Sequence, residues 1–314
     1  MKICYVTEMG NEEGPVRVPR NYPAMKTEIA WPCTLEADCI LFDKTPNQKY
    51  DLAIVIIPKH NIENWIKLKV LDKVKTYATK LAIMQEGPNW FFQDYNLQEQ
   101  VWYYNCLQKA DILLCHNKSD QKYYQGLIEN KPVLIMPTLM IEDALPPLPK
   151  EERKGVIIGG NFVSWYGGFD SFAIAKCLNE PIFAPSMGRR QEGEEQLGIT
   201  HLPFLDWRNW MLNLNKFKYG IHLMRTHAAG TFALNCAYLG IPCIGYKGLD
   251  TQETCHPDLS VDLGDLVSAR KMIRTLRDDE DFYNACSEQA KSNYVKYYHE
   301  DIFNSTFKKQ LEVS

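Results

Sequence analysis

The chain has 314 residues, 45% of them hydrophobic and 24% charged, with a formal net charge of −4. That length gives room for two domains, and the apolar share is that of a globular protein. A nearly neutral balance argues against broad nonspecific binding to nucleic acid, although a local basic cleft is compatible with it.

The opening residues, Met1-Lys2-Ile3-Cys4-Tyr5-Val6, read as a first strand rather than as a leader with a charged start and an apolar stretch. A loop with Asn11, Gly14, Pro15, Arg17 and Arg20 follows. Residues 23–35 have a helical pattern that Pro32 should distort. Residues 39–42, 52–57, 81–85, 112–116 and 133–136 are short apolar runs of the buried-strand kind. Between them lie helix candidates at 62–79, 97–109 and 119–129. Such alternation predicts a parallel sheet wrapped by helices, with ligands at the C-terminal ends of its strands. The run 52–57 is too short to span a bilayer, so no transmembrane segment is expected.

Leu145-Pro146-Pro147-Leu148-Pro149 and the charged run after it break the alternation and read as a linker. The expected domains are therefore residues 1–148 and 149–314. A second alternation begins with a strand at 155–158, a helix at 168–178 and a strand at 181–184. A helix at 206–213, a strand at 218–224, a helix at 230–239 and a strand at 241–245 complete it. Residues 263–312 read as charged helices, the last of them a candidate to pack back on the first domain. Ten scattered cysteines show no CxxC pair or metal-like spacing, which predicts buried free thiols and a cytoplasmic protein.

The most informative stretch is Tyr219 to Gly245. A strand runs into the polar turn Arg225-Thr226-His227, then the small residues Ala228, Ala229 and Gly230, then a helix from Thr231. A helix start behind a small-residue turn is an anion site, because free N–H groups and the helix dipole point at it. Arg225 adds donors suited to a phosphate. Ile157-Ile158-Gly159-Gly160-Asn161-Phe162 is a second glycine turn, read either as a phosphate contact or as a tight turn that needs glycine for its backbone angles.

Two Rossmann-like halves, a proline-rich linker and closing helices resemble the GT-B glycosyltransferases. That resemblance implies an α/β fold of two Rossmann-like domains facing across a cleft, with a nucleotide-sugar donor on the second. A branch of the family carries a glutamate, seven residues and a second glutamate before a Gly-x-Pro ending. Gly240-Ile241-Pro242 fits that ending, which sets His227 at the first acidic position and Asn235 at the second, so both depart from the pattern. By this resemblance the donor residues are Gly159, Gly160, Asn161, Phe162, Arg225, Thr226, His227, Gly230, Thr231 and Asn235. Asp250, Gln252 and Glu253, in the loop after the strand at 241–245, are either sugar ligands or the start of a capped helix. Glu86 matches, by strand order, the acidic base of the phage DNA β-glucosyltransferase, so Glu86 and Arg225 are the expected catalytic pair. Arg17, Arg20, Trp90 and His116 are the expected acceptor residues.

The resemblance implies no cofactor beyond the nucleotide-sugar co-substrate, and no metal is needed if Arg225 and the amides near Gly159, Gly160 and Gly230 suffice to hold the departing diphosphate. The acidic run Asp278-Asp279-Glu280-Asp281 reads as the start of a helix. Met187-Gly188-Arg189-Arg190 reads as a solvated basic loop. The expected function is transfer of a sugar to a hydroxyl acceptor: a glycan, a small molecule or modified DNA. The rivals are a DNA-base glucosyltransferase, a GT-B-type epimerase, and a noncatalytic binding protein on the same scaffold.

Overall fold

The computed structural model describes residues 1–8, 16–186 and 190–314. Asn11, Gly14, Pro15, Met187, Gly188 and Arg189 lie outside the described residues. The chain divides into two compact units. One holds Met1–Tyr22, Thr27–Pro137 and Glu300–Ser314; the other holds Pro23–Lys26 and Thr138–His299.

In the first unit, β1 (Ile3–Thr7), α1 (Thr27–Thr34), β2 (Asp38–Leu41) and β3 (Tyr50–Ile57) are followed by α2 (Ile62–Lys67) and α3 (Val70–Tyr77). Then come β4 (Ala78–Gln85), α4 (Leu97–Lys109), β5 (Ile112–Cys115), α5 (Lys118–Leu127) and β6 (Val133–Ile135). The strands form one parallel sheet in the order β2-β1-β3-β4-β5-β6. Apolar side chains of β1, β3 and β4 fill the core, as expected of strands buried on both faces. The helix expected at 62–79 is two helices, because Lys69 turns into the left-handed region at φ 51°. The apolar spacing runs straight through that break, and no glycine or proline marks it.

The second unit contains β7 (Val156–Ile158), α6 (Gly168–Ala175), β8 (Ile182–Ala184), β9 (Thr200–His201), α7 (Trp207–Leu214) and β10 (Tyr219–His222). After them come α8 (Thr231–Leu239), β11 (Cys243–Tyr246), α9 (Asp250–Cys255), β12 (Ser260–Val261), α10 (Leu266–Asp278) and α11 (Glu280–Tyr298). This sheet is also parallel, in the order β12-β11-β10-β7-β8-β9. Strand order reverses once in each sheet, between β1 and β3 and between β7 and β10. Those are the places where open α/β sheets bind ligands. β9 and β12 have two residues each and left no readable run in the sequence.

The prolines expected to part the two halves lie in the second unit, along with the residues before them. Backbone carbonyls there are taken up locally: Arg208 Nε donates to Ala144 O at 2.8 Å and Asn215 Nδ2 to Pro149 O at 2.8 Å. The short α12 (Glu300–Phe303) and α13 (Lys309–Val313) belong to the first unit. The acidic run is a helix start: Asp279 caps α11 by accepting from Phe282 N at 2.9 Å. No helix among the described residues is long and apolar enough to cross a membrane.

Candidate functional site

β10 alternates. Tyr219, Ile221 and Leu223 enter the core that β7, α6 and α10 share, while Gly220 packs against Cys236 of α8. At its C-terminal end the chain turns out, and Arg225 is more than half exposed. Its Nη2 donates to Asp170 Oδ2 at 2.9 Å, and the Tyr246 hydroxyl donates to the same oxygen at 3.1 Å. Asp170 sits in the first turn of α6 with little exposure. Arg225 is thus aimed by α6 and β11 together, and the hydrogen bond to Asp170 raises its pKa further. Burial, then the Asp170 charge, push the Tyr246 hydroxyl up to about 12, so it stays protonated as a donor.

Gly159 and Gly160 leave the end of β7 next to this arginine's strand. A side chain on Gly159 would lie 2.6 Å from His222 and 2.6 Å from Phe232. One on Gly160 would lie 3.0 Å from Tyr166. Packing within the protein therefore requires these glycines, whatever the turn binds. Asn161 is 6% exposed; its Oδ1 accepts from Val163 N at 3.2 Å, and its Nδ2 has no hydrogen-bond partner. Phe162 is half-buried against the core. The tightest approach is made by Gly167 (φ 62°), where a Cβ would sit 1.9 Å from Leu223 O. That fit draws the start of α6, and with it Asp170, onto the end of β10.

α8 begins at Thr231 after Gly230, which takes φ 73° and packs so tightly on Thr251 that no Cβ would fit. Thr251 donates to Gly230 O at 2.9 Å. Thr226 is buried, and His227 lies half-buried against Gly248 in the loop after β11. So Arg225, Thr226, His227, Gly230, Thr231 and the β7 turn gather around one switch point.

Asn235 and Gln252 do not join them. Asn235 is 1% exposed. In the amide orientation that satisfies both its groups, it accepts from Trp210 Nε1 at 3.0 Å and donates to Thr231 O at 3.3 Å. Gln252 is 1% exposed and ties β11 to the start of β12, donating to Cys243 O at 2.9 Å, Leu259 O at 3.3 Å and Ser260 Oγ at 3.4 Å. Both amides brace the interior. Asp250 opens the short helix α9 and Glu253 is exposed on it.

In the first unit the expected residues separate. Arg17 pairs with Asp38 Oδ1 at 3.1 Å, and Asp38 also accepts from Gln48 and Tyr50. Asp38 and Tyr50 open β2 and β3, so Arg17 lies at the N-terminal edge of the sheet, away from the strand ends that face ligands. Arg20 forms a two-pronged pair with Glu300 of α12, at 2.9 and 2.6 Å. It fastens the C-terminal segment. Glu86, Trp90 and His116 do follow the C-terminal ends of β4 and β5. Glu86 is exposed, and its carboxylate accepts from Lys59 N at 3.4 Å. Gly87 N donates to His116 Nε2 at 3.2 Å, which leaves the ring proton on Nδ1. Burial pushes the His116 pKa down to about 4, so the ring is neutral and no cation for an anionic acceptor. Trp90 sits edge-on to Phe91, ring centres 4.4 Å apart.

No protein-family model matches this chain, and no curated protein matches it by sequence. Solved structures match it in shape. HepE of Anabaena, in complex with UDP-glucose, gives a TM-score of 0.68 at 11% identity over 100% of both chains. Sucrose-phosphate synthase of Thermosynechococcus elongatus gives 0.67 at 11% identity, again over 100% of both. TarM of S. aureus, in a complex that includes UDP, gives 0.62 at 8% identity, over 82% of this chain and 55% of its own. The chain therefore spans about half the length of TarM and the whole of the other two. The fold is that of the GT-B glycosyltransferases. Within that GT-B frame, Asp170, Tyr246 and Gly167 escaped the sequence reading. The pair Gly167-Gly168 at a helix start was the signal available for them. His222 escaped because it lies inside an apolar strand run, Tyr219 to Met224.

Proposed function

We propose that the protein is a glycosyltransferase that takes a sugar from a nucleoside-diphosphate sugar and passes it to a hydroxyl acceptor. The observation that carries this is the convergence at the β7–β10 switch point of a glycine turn, the start of α8, and an arginine aimed by Asp170 and Tyr246. As the bond between the anomeric carbon and the diphosphate oxygen breaks, negative charge grows on the leaving phosphate. A guanidinium already in place and a helix dipole stabilise that charge without reorganising. In this reading Arg225 supplies the positive charge that a divalent cation supplies elsewhere, so transfer runs without metal. The first unit is the acceptor side. For an inverting reaction Glu86 is the base that takes the acceptor's hydroxyl proton; for a retaining one it only binds. All ten cysteines are free thiols, which favours a reducing, cytoplasmic setting.

A noncatalytic nucleotide-sugar-binding protein is the second reading. It is favoured by His227 and Asn235 standing where the acidic pair is expected, with Asn235 occupied by Trp210. Thermal shift against a panel of nucleotide sugars, followed by nucleotide release for each hit, separates the two. A transferase is stabilised selectively and slowly releases nucleoside diphosphate. A binding protein is stabilised and leaves the donor intact. No shift with any nucleotide sugar contradicts both.

A further inference from the structure

His222 is the last residue of β10 and 6% exposed, yet neither ring nitrogen has a hydrogen-bond partner. A buried imidazole left this way keeps its desolvation cost without a hydrogen bond to offset it. The other buried histidines each have one ring nitrogen engaged, His256 Nε2 with Ala233 O at 3.0 Å and His116 Nε2 with Gly87 N at 3.2 Å, and leave only Nδ1 unpartnered. The position of the ring is specific. Its Cβ and Cγ lie against the backbone of Gly159, and it stands edge-on to Phe232 with ring centres 5.2 Å apart. Gly159 opens the β7 turn, and Phe232 is the second residue of α8. The imidazole is therefore wedged between the glycine turn and the first turn of a nine-residue helix. Asn161 Nδ2, also buried and unpartnered, belongs to that same turn.

We propose that His222 is a ligand of the donor's diphosphate: its imidazole donates a hydrogen bond to a phosphate oxygen and takes a proton from solvent as the anion seats. This rests on the reading of the unit as a nucleotide-sugar site and adds to it a residue and a proton. In the free protein, burial alone pushes the His222 pKa down to about 4. The titratable groups on the elements around β10 are Cys236 and Tyr238 on α8, Cys243 and Tyr246 on β11, and Asp170 on α6. Tyr219 is on β10 itself, Arg225 and His227 follow it, and β7 has no titratable group. Asp170, the one carboxylate on these described elements, is engaged by Arg225. A phosphate in contact stabilises the charged ring and raises its pKa. The sign follows: the complex holds a proton that the free protein lacks, and affinity falls as pH rises through the bound-state value.

The test is calorimetry with UDP-glucose, GDP-mannose and ADP-glucose in buffers of different ionisation enthalpy. These diphosphates are esterified at both ends, so the proton counted arrives on the protein. If the bound ring returns to an ordinary pKa of about 6.5, uptake is about 0.7 proton at pH 6, and binding is about 4-fold tighter there than at pH 8. In His222→Gln both effects vanish, while residual binding persists through Arg225. The wild-type proton count stands by itself if that variant does not fold. Binding without proton uptake, or uptake unchanged in His222→Gln, overturns the role of His222 and leaves the nucleotide-sugar site intact. No binding of any of the three donors overturns both.

Discussion

The two sheets differ in how they use the polar residues at their strand ends. In the first unit, the arginines expected to meet a substrate are committed to the fold: Arg17 to Asp38 and Arg20 to Glu300. In the second, Arg225 is aimed by Asp170 yet stays more than half exposed, while His222 and Asn161 Nδ2 are buried and unsatisfied. The first arrangement spends polar groups on stability. The second leaves both nitrogens of His222 and Asn161 Nδ2 beside one glycine turn without a partner, whereas His116 in the first unit leaves only its Nδ1 so. An arginine in a loop is therefore weak evidence of binding until its partner is known.

Six substitutions break or sharpen that contrast. Glu86→Gln should lower kcat by about 10²- to 10⁴-fold if it is the base, with donor affinity unchanged; steady-state transfer assays read both. Gly167→Val should destabilise the second unit by ~3 kcal/mol or more, because it clashes with Leu223 O at a left-handed position. Urea unfolding checks this. Gly126→Ala is the control: a Cβ there meets nothing within 4 Å. It should be neutral or stabilising by up to ~1 kcal/mol in helix α5. Arg225→Ala should weaken nucleotide-sugar binding about 10- to 100-fold, the loss of a charge-assisted hydrogen bond. Asp170→Asn should weaken it less, since the guanidinium stays but loses its aim. Arg20→Ala should cost only ~0.5–1 kcal/mol of stability, because its ion pair with Glu300 is half exposed and screened. Donor affinity in that variant should equal wild type, which calorimetry reads directly.

Much of the fold was legible, for a physical reason. Parallel strands buried on both faces are continuous apolar runs, and those runs gave both sheets except for the two-residue β9 and β12. The break at Lys69 was hidden because Ile62, Ile66, Val70 and Val74 keep the four-residue helical spacing across it. In the site, the strand, small-residue turn and helix from Tyr219 to Leu239 were readable because one continuous segment builds them. Asn235 and Gln252 read as ligand-facing because a bracing amide and a binding amide look alike in sequence. Asp170 and Tyr246 acquire their meaning only from an oxygen that meets Arg225 across three elements. His222 was hidden by its apolar neighbours.

The central claim is that a nucleoside-diphosphate sugar sits at the β7–β10 switch point. Hydrogen exchange of the backbone amides with and without UDP-glucose, GDP-mannose or ADP-glucose tests it most directly. The account predicts slowed exchange at Gly159–Asn161, at Arg225 and in the first turn of α8 with whichever donor binds. Protection confined to the first unit, or to the exposed basic face of α10 at Arg270, Lys271 and Arg274, would contradict it.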